Sequence, residues 1–216
     1  MPGLSLRTAA SIDSPASLKT AAAFGRTIES FSASVAASAD DANEVVSSGV
    51  VSIVGTTIGL QPDRHGGFRF NNVTVPNGAV IHSARVQFVC GFTAVSSGAD
   101  ACDVVITGED ADDAAAFTTG STNVTGRTDT TATVTWELPA SSGDDAWTEG
   151  DAGLNQRTPN LATIVQEIVD RAGWASGADL VLLFAHDNVG LGARVAAAFD
   201  HATLDPPTLT ILYSTS

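Results

Sequence analysis

Basic residues are scarce in this chain. Ten lysines and arginines stand against 24 aspartates and glutamates, which gives a net charge of −14 and a pI near 4.3. Such a chain lacks the basic stripe that nucleic-acid binding needs and is repelled by anionic lipid. No stretch reaches the ~18 apolar residues of a membrane-spanning helix. Nucleic acid and membrane are therefore not expected partners. Catalytic motifs are missing too: there is no Gly-x-Ser-x-Gly elbow, no His-Glu-x-x-His, no P-loop and no Gly-x-Gly-x-x-Gly after a strand. His65, His82, His186 and His201 have no metal-ligand spacing. Acidic pairs abound, and a glycosidase needs only two carboxylates, but 24 acids single out no pair. The expectation is a protein that is not an enzyme. No internal repeat of fixed period occurs.

What is present favours a folded core. Hydrophobic residues make up 44% of the 216 positions and mean hydropathy is +0.16, enough to bury a sizeable core as one domain. The strongest local signal is Thr158 to Trp174. Leu161, Ile164, Val165, Ile168 and Val169 fall on one helical stripe. Thr158 is a candidate N-cap, Pro159 a first helical residue and Gly173 a left-handed stop. The pattern predicts an amphipathic helix over about 158–173 that lies on a sheet.

Elsewhere the chain reads as strands. Ser30, Ser32 and Ser34 alternate with Phe31, Ala33 and Val35. A β-branched run covers Val45–Ile58, broken at Gly49 and Gly55. Asp40–Glu44 reads as an acidic turn, Gln61–Gly67 as a polar loop, and Pro76-Asn77-Gly78 as a turn. Ala84, Val86, Phe88 and Cys90 alternate with Arg85, Gln87 and Val89, and Cys102, Val104 and Ile106 share a face. A hairpin centred near Ser96 sets Cys90 opposite Cys102. The pair is then a disulfide or, in a chain kept in the cytoplasm, two thiols. Gly108–Asp113 is a second acidic turn. Trp136 lies in the strand Thr130–Leu138, and Trp147 in the polar loop Ser141–Gln156. Leu180–Phe184, Arg194–Phe199 and Thr208–Tyr213 complete the strands. Many short strands with one helix predict an all-β, jelly-roll-type β-sandwich over 27–216.

Residues 1–26 stand apart as an N-terminal extended arm. They are rich in Ala, Ser and Thr and show no clear period; the first thirty residues sum to +1, leaving −15 for the rest. The arm is a disordered tail or an assembly contact. In the second case Leu4, Leu6, Ile12, Leu18 and Phe24 are the side chains able to pack on another subunit. Met1–Gly25 has no signal-peptide plan, because Arg7, Asp13 and Pro15 interrupt its apolar residues. The expected localisation follows: synthesis in the cytoplasm without an export signal.

From Gly67 to Phe88 the chain carries Arg69-Phe70, then Val75-Pro76-Asn77-Gly78-Ala79-Val80-Ile81-His82-Ser83-Ala84-Arg85-Val86-Gln87-Phe88. This resembles the DNRLRE-type β-sandwich modules, some of which bind carbohydrate in polysaccharide-degrading systems. The Asp40–Glu44 and Gly108–Asp112 turns and the Thr158–Trp174 helix are similar to those of an uncharacterised module of large bacterial surface proteins. The resemblance covers roughly 28–213 and implies a sandwich fold, with a carbohydrate-binding or adhesion role. It also implies a structural Ca²⁺ between first and last strands. Asp40, Asp41 and Glu44 offer hard oxygen ligands for it, with Asp200 as a fourth; a solvated acidic turn is the other reading. Trp147 is the candidate glycan or protein contact. Two functions are thus expected. One is a non-enzymatic structural subunit of a tailed-phage virion (capsid decoration, head fibre or tail). Its arm then contacts other copies or virion proteins, and its surface a host glycan. The other is a carbohydrate-binding or adhesion module of a bacterial cell surface.

Overall fold

The alternating patterns become eleven strands and one α-helix in the computed structural model, which describes residues 26–92, 101–138, 147–187 and 192–215. Leu4, Leu6, Ile12, Leu18 and Phe24 of the arm lie outside the described residues. One sheet has six strands in the order β3-β2-β5-β9-β7-β8. These are β2 (Asp41–Val45), β3 (Val50–Ser52), β5 (Arg64–Val73), β7 (Cys102–Gly108), β8 (Val134–Leu138) and β9 (Ala178–His186). Facing it is a sheet in the order β1-β11-β6, made of β1 (Glu29–Ser34), β6 (Val80–Gln87) and β11 (Thr208–Ser214). Beyond β6 the chain runs on through Val89–Gly91 and bonds to β10 (Arg194–Ala197), which pairs with β4 (Thr57–Leu60). Every strand pair is antiparallel. The expected all-β sandwich with one helix is what forms.

The core is the sum of the inward halves of those alternations. Phe68, Phe88 and Phe184 meet edge to face at 5.2–5.5 Å between centroids, and Trp136 stacks on Phe88 at 5.8 Å. Such pairs add about 0.5–1.5 kcal/mol each beyond area burial. The run Leu180–Phe184 is apolar without a break because β9 is covered on both faces. Leu180, Leu182 and Phe184 enter the main core, while Val181 and Leu183 join Ala42, Val51, Ala114, Phe117 and Val124 on the outside of the six-stranded sheet. The tip of the Phe117 ring lies against Gly67, where a Cβ would overlap it. That overlap explains a glycine inside β5 and corrects the expected loop at Gln61–Gly67, since β5 already begins at Arg64.

Helix α1 (Ala162–Val169) is shorter than the expected 158–173. Its stripe is as expected: Leu161, Ile164, Val165, Ile168 and Val169 are all buried, each contributing about 1.5–3 kcal/mol. The ends differ. Leu161, not Thr158, is the N-cap. Thr158 and Asn160 run alongside β6 instead, where their side-chain oxygens accept the Val86 and Ala84 N–H groups at 3.0 and 2.9 Å. At the other end the Asn77 amide donates to the Val169 and Arg171 carbonyls at 2.7 and 2.8 Å. Gly173 has no positive φ; it is required because a Cβ there would strike the Asp112 carboxylate, which pairs with Arg171.

The Cys90–Cys102 hairpin does not form. β6 pairs with β11, whereas β7 pairs with β8 and β9 in the opposite sheet. Both thiols are free and buried, each donating to a carbonyl, of Phe92 and Leu60 respectively, at 3.3 Å. Burial raises both pKa values, that of Cys102 to about 11. Val86, Phe88 and Cys90 therefore share the core with Cys102, Val104 and Ile106 without pairing with them across a hairpin.

Ile164 is 0% exposed beneath α1. Ile164→Asp should place an unpaired charge there and lower unfolding free energy by roughly 3 kcal/mol or more in a urea titration. An unchanged midpoint would detach the helix from the core.

Candidate functional site

Asp40, Asp41 and Glu44 do not form a solvated turn. Asp40 ends a 3-10 turn at Ser38–Asp40, β2 starts at Asp41, and all three acids are buried. Each has partners of its own. Asp40 accepts from Arg69 at 2.6 Å and from Asn71 at 2.7 Å. Glu44 lies further along the same outer face and accepts from the Val124 and Thr125 N–H groups at 2.9 Å and the Thr125 hydroxyl at 2.5 Å. Asp41 accepts the Phe199 N–H at 2.7 Å, and Asp200 accepts the Ser38 hydroxyl at 2.9 Å.

The four acids expected to share calcium are thus not brought together as a set. Among the described residues no three His, Cys, Asp or Glu side chains are arranged to hold a metal. Among the described residues, Asp41 Oδ1 and Asp200 Oδ2 are the buried carboxylate oxygens without a partner. Asp41 is placed to take up a proton. Burial, with the like charges of Asp200 and Asp40, pushes the Asp41 pKa up to about 7 despite the Phe199 N–H. Protonation turns one lone acceptor into a donor, which removes the penalty of a buried unpaired oxygen.

Trp147 is 5% exposed. It packs beside Trp136 at 5.9 Å and donates its Nε1–H to the Asn155 carbonyl at 3.2 Å. Its ring joins the core and, with Trp136, Leu154, Asn155 and Arg194, lines a pocket of about 130 Å³. His82 and His201 have separate partners. His82 bonds Ser214 at 2.9 Å, and His201 accepts the Leu204 N–H at 3.1 Å. His65 lines a pocket of about 170 Å³ on the six-stranded sheet, where burial lowers its pKa.

A different surface has the character of a site. The outward face of β1-β11-β6 consists of rows set by strand register. Ser34, Thr208 and Gln87 form one, Ser32, Thr210 and Arg85 the next, and Ser30, Leu212 and Ser83 the third. The hydroxyls of the first two rows touch across β1 and β11 at 2.8 and 3.2 Å. Where the β6 side of this face meets Arg157, bridged to Gln87, the surface sinks into a groove of about 390 Å³. Ser83, Arg85, Gln87, Arg157, Thr210 and Leu212 line it.

The groove carries two positive charges in an acidic molecule. Arg69 pairs with Asp40 and Asp179, Arg127 with Glu109, and Arg171 with Asp110 and Asp112. Among the described residues, neither Arg85 nor Arg157 pairs with a carboxylate. Arg85 is steadied by one bond, from Nη1 to the Thr158 carbonyl at 2.8 Å. The sequence held a sign of this groove, since Ser83, Arg85 and Gln87 are the polar half of the β6 alternation. It gave no sign that β6 lies beside β11 or that Arg157 reaches the same hollow.

The raised Asp41 pKa has a sign that can be tested. The folded value, about 7, lies above the ordinary 3.8. Stability from the protonated group is therefore complete below the ordinary value and is lost as pH rises through the folded one. Asp41→Asn should gain stability relative to the native chain as pH rises from about 4 to about 7 in urea titrations. A constant difference over that range would mean that Asp41 does not carry the proton. In sequence, the chain matches no protein-family model and no curated protein.

Proposed function

We propose that this chain is a non-enzymatic structural subunit of an assembled particle, of the tailed-phage capsid-decoration, head-fibre or tail kind, held by its N-terminal arm. The observation that carries the reading is how the sandwich uses its charges. Arg69 joins the turn before β2 to β9, Arg127 ties the excursion back to Glu109 at the end of β7, and Arg171 joins the end of α1 to the Asp110–Asp112 turn. Arg127 also lies 4.1 Å over the Phe117 ring, and Glu167 accepts from the Thr131 and Ala132 N–H groups at 2.7 Å. These bonds hold the long excursion from Glu109 to Ala132 flat on the molecule. A rigid shell of this kind suits a part that keeps its shape in an assembly. The contrast between a +1 segment at residues 1–30 and a −15 remainder supports an arm that binds elsewhere. Among the described residues no helix is long and apolar enough to cross a membrane.

A second reading, a carbohydrate-binding or adhesion module, has its own support in the polar groove beside Arg85. The two are compatible in a particle whose surface touches glycans.

Deletion of residues 1–26 tests the first reading. The truncated chain should stay folded and soluble, while rings, fibres or arrays of the full chain, seen by electron microscopy and by mass in solution, disappear. A full chain that is monomeric at all concentrations and never incorporates into particles would overturn it, as would a truncated chain that assembles normally.

A further inference from the structure

We propose that the Arg85–Arg157 groove binds an acidic saccharide, a sugar unit carrying a carboxylate or a sulfate. The inference deepens the carbohydrate-binding reading of this surface and rests on it. Three observations converge. First, the groove concentrates two guanidinium groups that meet no carboxylate among the described residues, in a chain of net charge −14. Arg85 uses one of its five N–H donors on the Thr158 carbonyl. That bond fixes the fork in place and leaves the other donors free for an oxyanion, which planar guanidinium groups grip in pairs.

Second, the remaining walls are uncharged and suited to hydroxyls. The Ser83 and Thr210 hydroxyls can donate and accept; Gln87, whose amide donates to the Phe88 and Gly153 carbonyls, offers its oxygen as an acceptor, and Leu212, 39% exposed, offers a small apolar surface to the C–H face of a ring. Third, the volume of about 390 Å³ falls in the about 300–1,000 Å³ range of small-molecule sites. An acidic protein surface would engage the two cations but has less use for a wall of hydroxyls and an amide. No aromatic ring lines the groove, so affinity rests on the charged contact and should depend strongly on salt.

Calorimetric titration of the full chain tests this. The probes are oligosaccharides of galacturonate, mannuronate and guluronate and a sulfated galactan, with methyl-esterified galacturonate oligosaccharides as the neutral counterpart. At least one acidic member should bind, more weakly as salt is added. Arg157→Gln, on an exposed side chain, should weaken it about tenfold or more. Arg85→Lys, which keeps the charge and loses the fork, should also weaken it. Equal binding of esterified and acidic chains, unchanged in Arg157→Gln, would overturn the acidic inference and leave the carbohydrate reading standing. Failure of every saccharide would overturn both. So would a low-salt rise in mass that Arg157→Gln abolishes without any saccharide binding, because an acidic surface of a second copy would then occupy the groove.

Discussion

The free edge of β6 is the constraint on which the second sheet depends. One side of β6 is hydrogen-bonded to β11. The other carries N–H and C=O groups that need partners if they are to be buried. The chain from Gln156 to Gln166 supplies them. The Gln156 carbonyl, the Thr158 hydroxyl, the Asn160 amide oxygen and the Gln166 amide oxygen accept from Phe88, Val86, Ala84 and Ile81 in turn. Thr158 and Leu161 donate back to Val86 and Ala84. A helix cannot perform that task with its own backbone, because its groups are already paired. The residues that satisfy the edge must therefore stay extended, which is why α1 starts late. The helix then lands with Leu161, Ile164 and Ile168 over the core, and its far end is held by Asn77.

The same logic governs charge. Buried ions survive where a partner stands ready, and removal of one partner from such a pair costs about 3–5 kcal/mol. Asp40 and Arg69 meet this condition, with side chains 3% and 16% exposed. Glu44 meets it through backbone N–H groups, which makes it a tether for the Val124–Thr125 turn. The acids thus serve as fasteners for the excursion over the six-stranded sheet. That excursion covers Val181 and Leu183 on one outer face, while the outer face of β1-β11-β6 presents its Ser and Thr rows. The asymmetry between the two faces is where the binding proposal begins.

Much of this was legible in the sequence wherever a period reports burial. The α1 stripe, the alternation in β6 and the apolar face of β7 all name residues that are buried. What period cannot report is partnership. Asp40–Glu44 looks like a turn because a stretch with four polar residues in five rarely enters a strand, and nothing local says that Arg69, Asn71, Val124 and Thr125 wait for them. Cys90 and Cys102 share a pattern and lie close in sequence, so a hairpin is the economical inference. The competing partners, β11 for one strand and β9 for the other, come from more than 70 positions away along the chain. Trp147 shows a similar limit: its neighbours in sequence are polar, but its neighbour in space is Trp136.

A polar groove without an aromatic platform has consequences for how such a protein could work. Its hydrogen bonds replace bonds to water, so each adds only about 0.5–1.5 kcal/mol, and the charge-assisted ones about 1.5–3. Association itself has an entropic cost of at least about 4 kcal/mol. One groove alone is then a weak binder. Repetition changes the outcome, because a second site presented on the same scaffold meets its ligand at a high effective concentration, and avidity can exceed single-site affinity by about 10²–10⁴. A rigid sandwich set in an array by its arm would present many grooves at fixed spacing toward a repeating polymer. The structural and the carbohydrate-binding readings then become two halves of one mechanism: assembly would provide the repetition that makes a weak, salt-sensitive groove effective.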